Sequence, residues 1–432
     1  MVSRRRFLGQ AAGAVAAAPW ASGAEKADPL CIALIGCGGM GQGHLRLLAP
    51  RKDVRIAYLC EPDANRLAQA MKAVESAGQH GVKAVKDMRA VFDDPSVRAV
   101  WIATPDHWHA PAAILAAEAG KHVYVEKPCS HNLREGRLMV EAARRNKIVM
   151  QVGTQSRSTA HVIQAMKRLH EGAIGRVLVA KAWNSQRRGN IGHAEPEEPP
   201  KHLDYDLWLG PAPYVPYRRN MLHAIWRWWY DFGVGDIGND GVHDIDLARW
   251  GLGVTEHPST IAALGGKYFF DDDQQWPDTQ YVVYEYPGDG KVGQKRQLIF
   301  EQRTWSPYVQ EGLENGNAFY GDEGMMILGK YGGYQLFGPR NKLIEHVKAP
   351  APDLAAHHDN FLDCVRTGAR PNADIEISHL TTALCHLGNI ATRVGRVVRF
   401  DPKTETIPGD AEAAAMLRRQ YRAGHWATPK GV

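Results

Sequence analysis

Residues 31–41 read CIALIGCGGMG, an apolar run that ends in glycines at positions 36, 38 and 41. A strand that turns tightly into a helix and admits a pyrophosphate needs glycine at these positions. A helix beginning there presents unpaired N–H groups and the positive end of its dipole to an anion. The stretch therefore predicts a strand, a helix, and between them a phosphate-binding turn formed by Gly36, Gly38, Gly39, Met40 and Gly41.

A second apolar run, residues 54–60, ends at Glu61, twenty residues after the last glycine of the turn. A carboxylate at this position accepts hydrogen bonds from both hydroxyls of an adenosine ribose and repels a 2′-phosphate. Arg66 lies nearby in the sequence and would offset part of that repulsion. The pattern predicts NAD as the cofactor, with NADP less favoured.

Further apolar runs at 99–103, 122–125 and 148–152 alternate with helical patterns, which is typical of a parallel sheet built from βαβ units. Ligands bind beyond the carboxyl ends of such strands. The residues that follow these strands and are expected at the site are Thr104, Pro105, Asp106, Glu126, Lys127 and Gln155.

After residue 156 the pattern changes to extended, alternating segments at 176–183, 259–264, 280–286 and 297–302. These segments predict a large, mostly antiparallel sheet, and helices are expected at 160–170, 354–367 and 380–394. The fold class is therefore α/β with two domains. We expect a dinucleotide-binding domain at 30–155, a substrate domain at 156–400 and a C-terminal tail at 401–432.

A long irregular stretch, residues 184–235, is rich in tryptophan, tyrosine and arginine. Aromatic faces with interleaved hydrogen-bond donors suit a polyhydroxylated ring such as a sugar. The alternative is that these aromatic residues pack at a subunit interface, which favours the same residue types. The substrate-binding candidates in this stretch are Arg187, Arg188, Trp226, Arg227 and Trp229.

Of the 432 residues, 44% are hydrophobic and 23% are charged, as in a soluble globular protein. Residues 1–24 contain three arginines and no acid, so the rest of the chain has 49 basic and 47 acidic residues. This near-balance of charge gives no indication of a basic surface for binding nucleic acid or anionic lipid. The six cysteines form no CxxC pair and are interpreted as core residues.

The N-terminal stretch SRRRFLGQAAGAVAAAPWASGA, residues 3–24, resembles a twin-arginine export signal. It predicts a periplasmic or exported protein, and the alternative is a basic tail with no targeting role. No other segment approaches the ~20 apolar residues that span a bilayer, so stable membrane anchoring is not expected.

Three further motifs, ATPDHWHAPAAILAAEAGKHVYVEKP from 103, GNDGVHDIDLARW from 238 and RPNADIEISH from 370, complete a specific combination. Together with the glycine turn, they resemble the glucose-fructose oxidoreductase, inositol dehydrogenase and rhizopine catabolism (Gfo/Idh/MocA) family from about residue 32 to 399. The resemblance implies a Rossmann domain, a C-terminal α/β domain whose open sheet forms homo-oligomers, and hydride chemistry on sugars or cyclitols.

The resemblance also assigns roles to individual residues. Lys127 is the lysine beside the nicotinamide and the substrate hydroxyl, and Asp106 and His109 lie near the cofactor. His243 is the candidate acid–base group, since imidazole can take a hydroxyl proton at neutral pH. Family members commonly have an aspartate where this chain has Asn239.

At helical spacing, Asn239 and Asp240 both lie near His243, so either is expected to orient its ring. A metal site would need three or four of the five residues Asp236, Asp240, His243, Asp244 and Asp246 to converge. Residues 243, 244 and 246 point in different directions on a helix, so no metal is predicted.

The leading hypothesis is an NAD(P)-dependent oxidoreductase acting on a carbohydrate, with a tightly held cofactor that is recycled internally because the exported protein has no nucleotide pool. One alternative is an NAD-dependent glycosidase that oxidises, eliminates, hydrates and reduces its substrate. The other is a sugar-binding protein without catalysis.

Overall fold

A computed structural model describes residues 28–306, 308–349 and 352–432. The predicted export signal lies outside the described residues. In the described part, the strands form one six-stranded and one nine-stranded sheet. None of its helices is long and apolar enough to cross a membrane.

The N-terminal domain is a parallel sheet in the order β3-β2-β1-β4-β5-β6, which is the order of a doubly wound dinucleotide-binding fold. Its strands β1 to β6 span Leu30–Ile35, Val54–Cys60, Lys83–Val85, Ala99–Ile102, His122–Val125 and Met150–Val152. Its helices α1 to α5 span Gly39–Leu48, Ala64–Ser76, Arg89–Phe92, Asp106–Glu118 and Leu133–Arg145. The predicted Rossmann fold is confirmed.

The inner strands β1, β4 and β5 are buried almost throughout because helices cover both faces of the sheet, which explains their unbroken apolar sequence. The strand β3 was not predicted. It has three residues at the sheet edge, two of them exposed, and it carries no apolar run.

The C-terminal domain contains a nine-stranded sheet in the order β14-β13-β12-β11-β7-β10-β9-β8-β15. Its strands β7 to β15 span Val177–Asn184, Thr260–Gly266, Thr279–Tyr286, Arg296–Arg303, Asn315–Gly321, Met325–Gly329, Gly333–Gly338, Lys342–Val347 and Val398–Arg399. Only β7 and β10 pair in parallel, so the prediction of a mostly antiparallel sheet is confirmed.

Helices pack on one face of this sheet and bury aromatic residues of β9, β10 and β11, including Tyr284, Phe300 and Phe319. The helices α6 to α11 span Ala160–His170, Tyr205–Leu209, Val242–Leu252, Leu354–Thr367, Ile375–Val394 and Ala411–Ala415. A π-helical turn, Ile237–Gly241, runs directly into α8.

The aromatic segment, residues 184–235, folds into a small core of its own. Tyr205, Trp208, Tyr217, Trp228 and Trp229 are buried in one hydrophobic cluster. These rings therefore stabilise the segment itself.

Residues 401–432 return to the N-terminal domain. Arg419 forms an ion pair with the buried Glu135 of α5 at 2.7 Å, and Ala427 joins the core of that domain. The ring of Trp426 lies 5.8 Å from the ring of Trp108 on α4. The C-terminal segment thus packs against the helices that support the parallel sheet. All six cysteines are buried and form no disulfide.

Candidate functional site

A cleft of about 700 Å³ opens at the carboxyl ends of β1, β2, β4 and β5. The sequence-predicted cofactor residues that line it are Gly36, Gly38, Gly39, Met40, Glu61, Thr104, Pro105, Asp106, His109, Glu126 and Lys127. Gly41 lies beneath the turn and does not line the cleft.

The glycine turn has the shape that a pyrophosphate requires. Gly36 has φ +92°, and a Cβ there would lie 2.5 Å from the carbonyl oxygen of Ala103. A Cβ on Gly41 would lie 2.1 Å from the carbonyl oxygen of Gly36, so strand and helix can meet only through glycine. Helix α1 has no side-chain cap and no acid in its first turn, which leaves its N–H groups for an anion. These residues fit the diphosphate of a dinucleotide.

Glu61 joins the glycine turn to the end of β2. Its Oε2 accepts a hydrogen bond from the amide of Cys37 at 2.7 Å, and its Oε1 accepts one from the amide of Asp63 at 3.1 Å. Burial raises the pKa of the Glu61 carboxyl, and the two amide hydrogen bonds oppose that rise. Arg66 lines the same part of the cleft, as the sequence suggested.

Replacing Glu61 with glutamine is expected to narrow the preference for NAD over NADP by about tenfold, because the charge that repels a 2′-phosphate is removed. Titration of the nucleotide-free protein with both nucleotides measures this. Glu75→Gln, at an exposed position on α2, is the matched control and should leave both affinities unchanged. Tighter binding of NADP than of NAD by the unmodified protein would contradict the assignment.

Lys127 lies at the end of β5 with its Nζ donating a hydrogen bond to the backbone oxygen of Asn239 at 2.5 Å. Burial lowers the pKa of this ammonium group, while Glu126 opposes the shift. The adjacent Glu126 accepts a hydrogen bond from His44 Nε2 at 3.1 Å. Burial alone would raise the pKa of Glu126, but His44 and the charge of Lys127 lower it to about 2. The cleft floor therefore holds a carboxylate that stays ionised beside a lysine.

His243 is buried near the start of α8, four residues after Asn239, which lines the cleft. Burial lowers the pKa of its imidazole to about 3, and the positive charges of Lys127 and Lys330 add to this effect. Its Nδ1 is buried and has no hydrogen-bond partner in the described part of the chain. The ring is therefore neutral at physiological pH.

In the described part of the chain, the hydrogen bonds of the Asn239 and Asp240 side chains go to residues other than His243. The amide of Asn239 donates to Asp236 at 3.0 Å. Asp240 accepts hydrogen bonds from Lys330 and from Asn315, both at 2.8 Å. Both residues lie in the π-helical turn, whose i→i+5 hydrogen bonds change the α-helical spacing on which the expectation that they orient His243 was based.

Lys330, in the turn after β12, is a site residue that the sequence did not indicate. Its Nζ lies 2.8 Å from Asp240 Oδ1 and 3.2 Å from Asp244 Oδ2. The two carboxyl groups raise the pKa of Lys330 against the effect of burial. Burial raises the pKa of Asp244 to about 7 despite this lysine. Lys330 thus neutralises Asp240, just before α8, and Asp244, in its first turn.

Lys330→Met is expected to lower the free energy of unfolding by about 3 kcal/mol, since it leaves the buried Asp244 without its cation and Asp240 with only Arg188, at 3.5 Å. Chemical denaturation at neutral pH measures the change. Lys342→Met, at an exposed position on β14, is the control and should change stability by less than about 0.5 kcal/mol. An equally small effect of Lys330→Met would show that Lys330 does not neutralise this cluster.

The substrate-binding candidates separate into two groups. Trp226 and Arg227 line the cleft, whereas Gln155, Arg187, Arg188, Trp229 and His243 do not. Trp229 is buried in the aromatic segment and donates its indole N–H to the Asn220 carbonyl. Arg188 forms an ion pair with Asp236 at 3.0 Å.

Arg187 and Gln155 also lie outside the cleft. Arg187 is exposed, and Gln155 is half-buried in the short turn Gln155–Ser158. Neither arrangement brings the side chain to the cleft.

Asp106 and His109 connect the segments around the cleft. His109 contacts the carbonyl oxygens of Thr104 and Pro128 through its two ring nitrogens, at 2.9 and 2.7 Å. Asp106 accepts a hydrogen bond from the amide of Val234 at 3.2 Å, and burial raises its pKa to about 7. Both residues therefore shape the cleft wall.

The acidic residues considered for a metal have other partners. Asp236 binds Arg188, and Asp246 forms a 2.7 Å ion pair with the buried Arg157. With Asp240 and Asp244 held by Lys330, the carboxylates are directed to three different cations. This arrangement explains the acidic sequence without a metal.

Comparison with known proteins agrees with this geometry. Residues 30–154 match an oxidoreductase family with an NAD-binding Rossmann fold, and residues 177–428 match its C-terminal alpha/beta domain. Levoglucosan dehydrogenase of Pseudarthrobacter phenanthrenivorans is 32% identical over 52% of this chain and 51% of its own length. Inositol 2-dehydrogenase 2 of Saccharopolyspora erythraea is 31% identical over 59% of this chain and 62% of its own length.

The chain thus spans between half and two thirds of these two relatives. A solved structure, aldose-aldose oxidoreductase from Caulobacter crescentus complexed with glycerol, has a TM-score of 0.65 at 20% identity. It covers 86% of this chain and 100% of that chain, which shows a shared fold. The two family matches together cover most of the sequence, and the chain belongs to the Gfo/Idh/MocA family of oxidoreductases.

Proposed function

We propose that the protein is an NAD-dependent dehydrogenase that oxidises a hydroxyl group of a sugar or cyclitol. The observation that carries this proposal is the half-buried Lys127, whose ammonium group lies in the glycine-lined cleft and whose charge contributes to keeping His243 neutral. The names of the two relatives, a levoglucosan and an inositol dehydrogenase, support the substrate class.

In this proposal each residue has a defined task. NAD, when bound, accepts the hydride from the carbon that bears the hydroxyl. Lys127 donates a hydrogen bond that orients this hydroxyl. Neutral His243, which lies behind the cleft lining but near enough for the charge of Lys127 to lower its pKa, receives the hydroxyl proton. Because Nδ1 of His243 is enclosed by protein, Nε2 is the nitrogen available for that transfer. Trp226 and Arg227 face the substrate from the aromatic segment.

The test is incubation of the purified protein with NAD and a carbohydrate panel that includes levoglucosan and myo-inositol. We expect at least one compound to lose two hydrogens while an equal amount of NADH forms. Hydrolysis of a glycoside with no net redox change would favour the glycosidase alternative. Absence of turnover across the panel would favour a non-catalytic sugar-binding protein.

We further propose that the cofactor is held through many turnovers. The resemblance of residues 1–24 to an export signal supports this, since a nucleotide lost outside the cytoplasm would not be replaced. The aromatic segment contacts the cleft near Glu61, where His223 binds Asp63 at 2.9 Å. If the aromatic segment closed over the bound nucleotide, it would slow cofactor release. Dialysed protein should retain nucleotide and turn over without added NAD, and nucleotide-free protein would contradict the proposal.

We also propose that the open face of the nine-stranded sheet forms a homo-oligomer. Leu264, Tyr281 and Tyr320 on this sheet are each between 38% and 74% exposed. Apolar side chains grouped on one face are typical of association surfaces. Light scattering of Tyr281→Lys should show a smaller assembly than the unmodified protein, and an unchanged mass would argue against this face.

A further inference from the structure

A second cavity, of about 420 Å³, lies on the opposite side of the wall formed by residues 233–234. One face of α10 contributes His386, Asn389 and Arg393, and the residues just before α5 contribute His131 and Asn132. Residues 412–419 of the C-terminal segment close it. No residue lines both this cavity and the nucleotide cleft.

The cavity lining has more hydrogen-bond donors than acceptors. The donors Asn132 Nδ2 and Arg419 Nη1 are buried and have no partner among the described residues. Both ring nitrogens of His131 are also buried without a partner, and one of them donates, since burial lowers the pKa of this imidazole and keeps it neutral. Asn132 is 4% exposed, and the other nitrogens of Arg419 already bind Glu135 and the His107 carbonyl. A buried donor without a partner is unfavourable, so an oxygen-rich ligand would be stabilised here.

The charged residues that line the cavity are mostly basic, which also favours an anionic ligand. Arg393 and Arg418 line the cavity and form no ion pair with any described residue, and Arg419 is a third guanidinium. Glu412 is the one acidic residue of the lining, and it binds Arg396 at 2.8 Å. The guanidinium group favours carboxylate and phosphate, which it can bind through two parallel hydrogen bonds.

An aromatic wall limits the shape of the ligand. Tyr230 and Trp276 meet edge to face with ring centroids 4.5 Å apart, and the guanidinium of Arg393 lies 4.3 Å from the Tyr230 ring. Such a surface packs well against the apolar face of a sugar-sized ring. A free inorganic ion would leave this wall unused.

We propose that this cavity is a second binding site for a small oxyanion, a carboxylate or phosphate group carried on a sugar-sized body. The site adjoins the catalytic cleft without being part of it. Trp276 and Asn389 donate hydrogen bonds to the carbonyl oxygens of Gly233 and Val234, at 3.1 and 2.9 Å. The amide of Val234 in turn binds Asp106 in the cleft wall. A ligand in the cavity therefore rests on the same peptide segment that positions Asp106.

The test is calorimetric titration of the NADH-saturated protein with glucose 6-phosphate, gluconate and glucose at constant ionic strength. Glucose 6-phosphate and gluconate distinguish a phosphate from a carboxylate ligand, and glucose is the uncharged reference. Arg393→Gln and Arg418→Gln are the test variants, since both arginines are exposed and outside the catalytic cleft. Arg340→Gln is the matched control, since Arg340 is exposed and lines neither the cavity nor the cleft.

We expect at least one of the two anions to bind saturably, with an affinity that each cavity variant lowers by about tenfold and the control leaves unchanged. Dehydrogenase activity without anion should be the same in all variants, so this test does not depend on the proposed substrate. No saturable binding of either anion up to ~10 mM would overturn the proposal. Binding that Arg393→Gln and Arg418→Gln leave unaltered would also overturn it, because the anion would then occupy another site.

Discussion

Lys127→Ala is expected to lower turnover by about 100-fold or more while the protein still binds NAD. The ammonium group lies in the cleft and is positioned by its hydrogen bond to the Asn239 carbonyl at 2.5 Å, and an alanine side chain offers no donor to orient a substrate hydroxyl. The glycine turn and Glu61, which we expect to hold the nucleotide, are unaffected. Steady-state kinetics on the best substrate of the panel and titration with NAD measure the two effects separately.

Lys72→Ala, at an exposed position on α2, is the matched control for a lost lysine and should have normal kinetics. If Lys127→Ala turned over at nearly the normal rate, Lys127 would have no part in the reaction. If it lost NAD binding as well as turnover, Lys127 would act on the cofactor rather than on the substrate hydroxyl.

His243→Ala is expected to lower turnover to a similar extent, about 100-fold or more, because the group that receives the hydroxyl proton is removed. His346→Ala, at an exposed position on β14, is the control and should leave turnover unchanged. A nearly normal rate for His243→Ala would assign the proton to another acceptor.

The pH dependence of kcat/KM provides an independent check on His243. The base must be neutral, and burial and the neighbouring lysines lower its pKa from the usual 6.5 to about 3. Acidification from pH 7 to 5 therefore leaves the ring unprotonated, and we expect no loss of activity attributable to His243 in this range. An acid limb near pH 6.5 that disappears in His243→Ala would contradict a buried, neutral imidazole.

Sequence reasoning succeeded where local pattern and tertiary structure agree. The glycine turn and the apolar strands of the parallel sheet are encoded in short, contiguous segments, and helix α9 has the predicted bounds. The strands β11 to β14 were missed. Their segment, residues 315–347, is interrupted by glycines at 316, 321, 324, 329, 332, 333 and 338, so no alternating run is long enough to indicate a strand.

In the site, too, local sequence patterns predicted some residues and missed contacts between distant segments. Residues that follow β1, β2, β4 and β5 line the cleft because the topology brings these strand ends together, whereas Gln155, after β6, does not. Lys330 is 90 residues from Asp240 in the chain, and its sequence, GKYGG, has the character of a surface turn. The pairing of His44 with Glu126 also joins distant segments, and no local pattern indicates it. Such contacts arise only from packing between elements.

We expect hydride to pass directly from a substrate carbon to the nucleotide held beside Lys127. A single turnover with substrate deuterated at the reacting carbon, followed by mass spectrometry of the nucleotide and the product, tests it. We predict that the deuterium appears in the reduced nucleotide and that the product lacks it. Deuterium that is released to water, or that stays in the product while the nucleotide is unlabelled, would contradict the account.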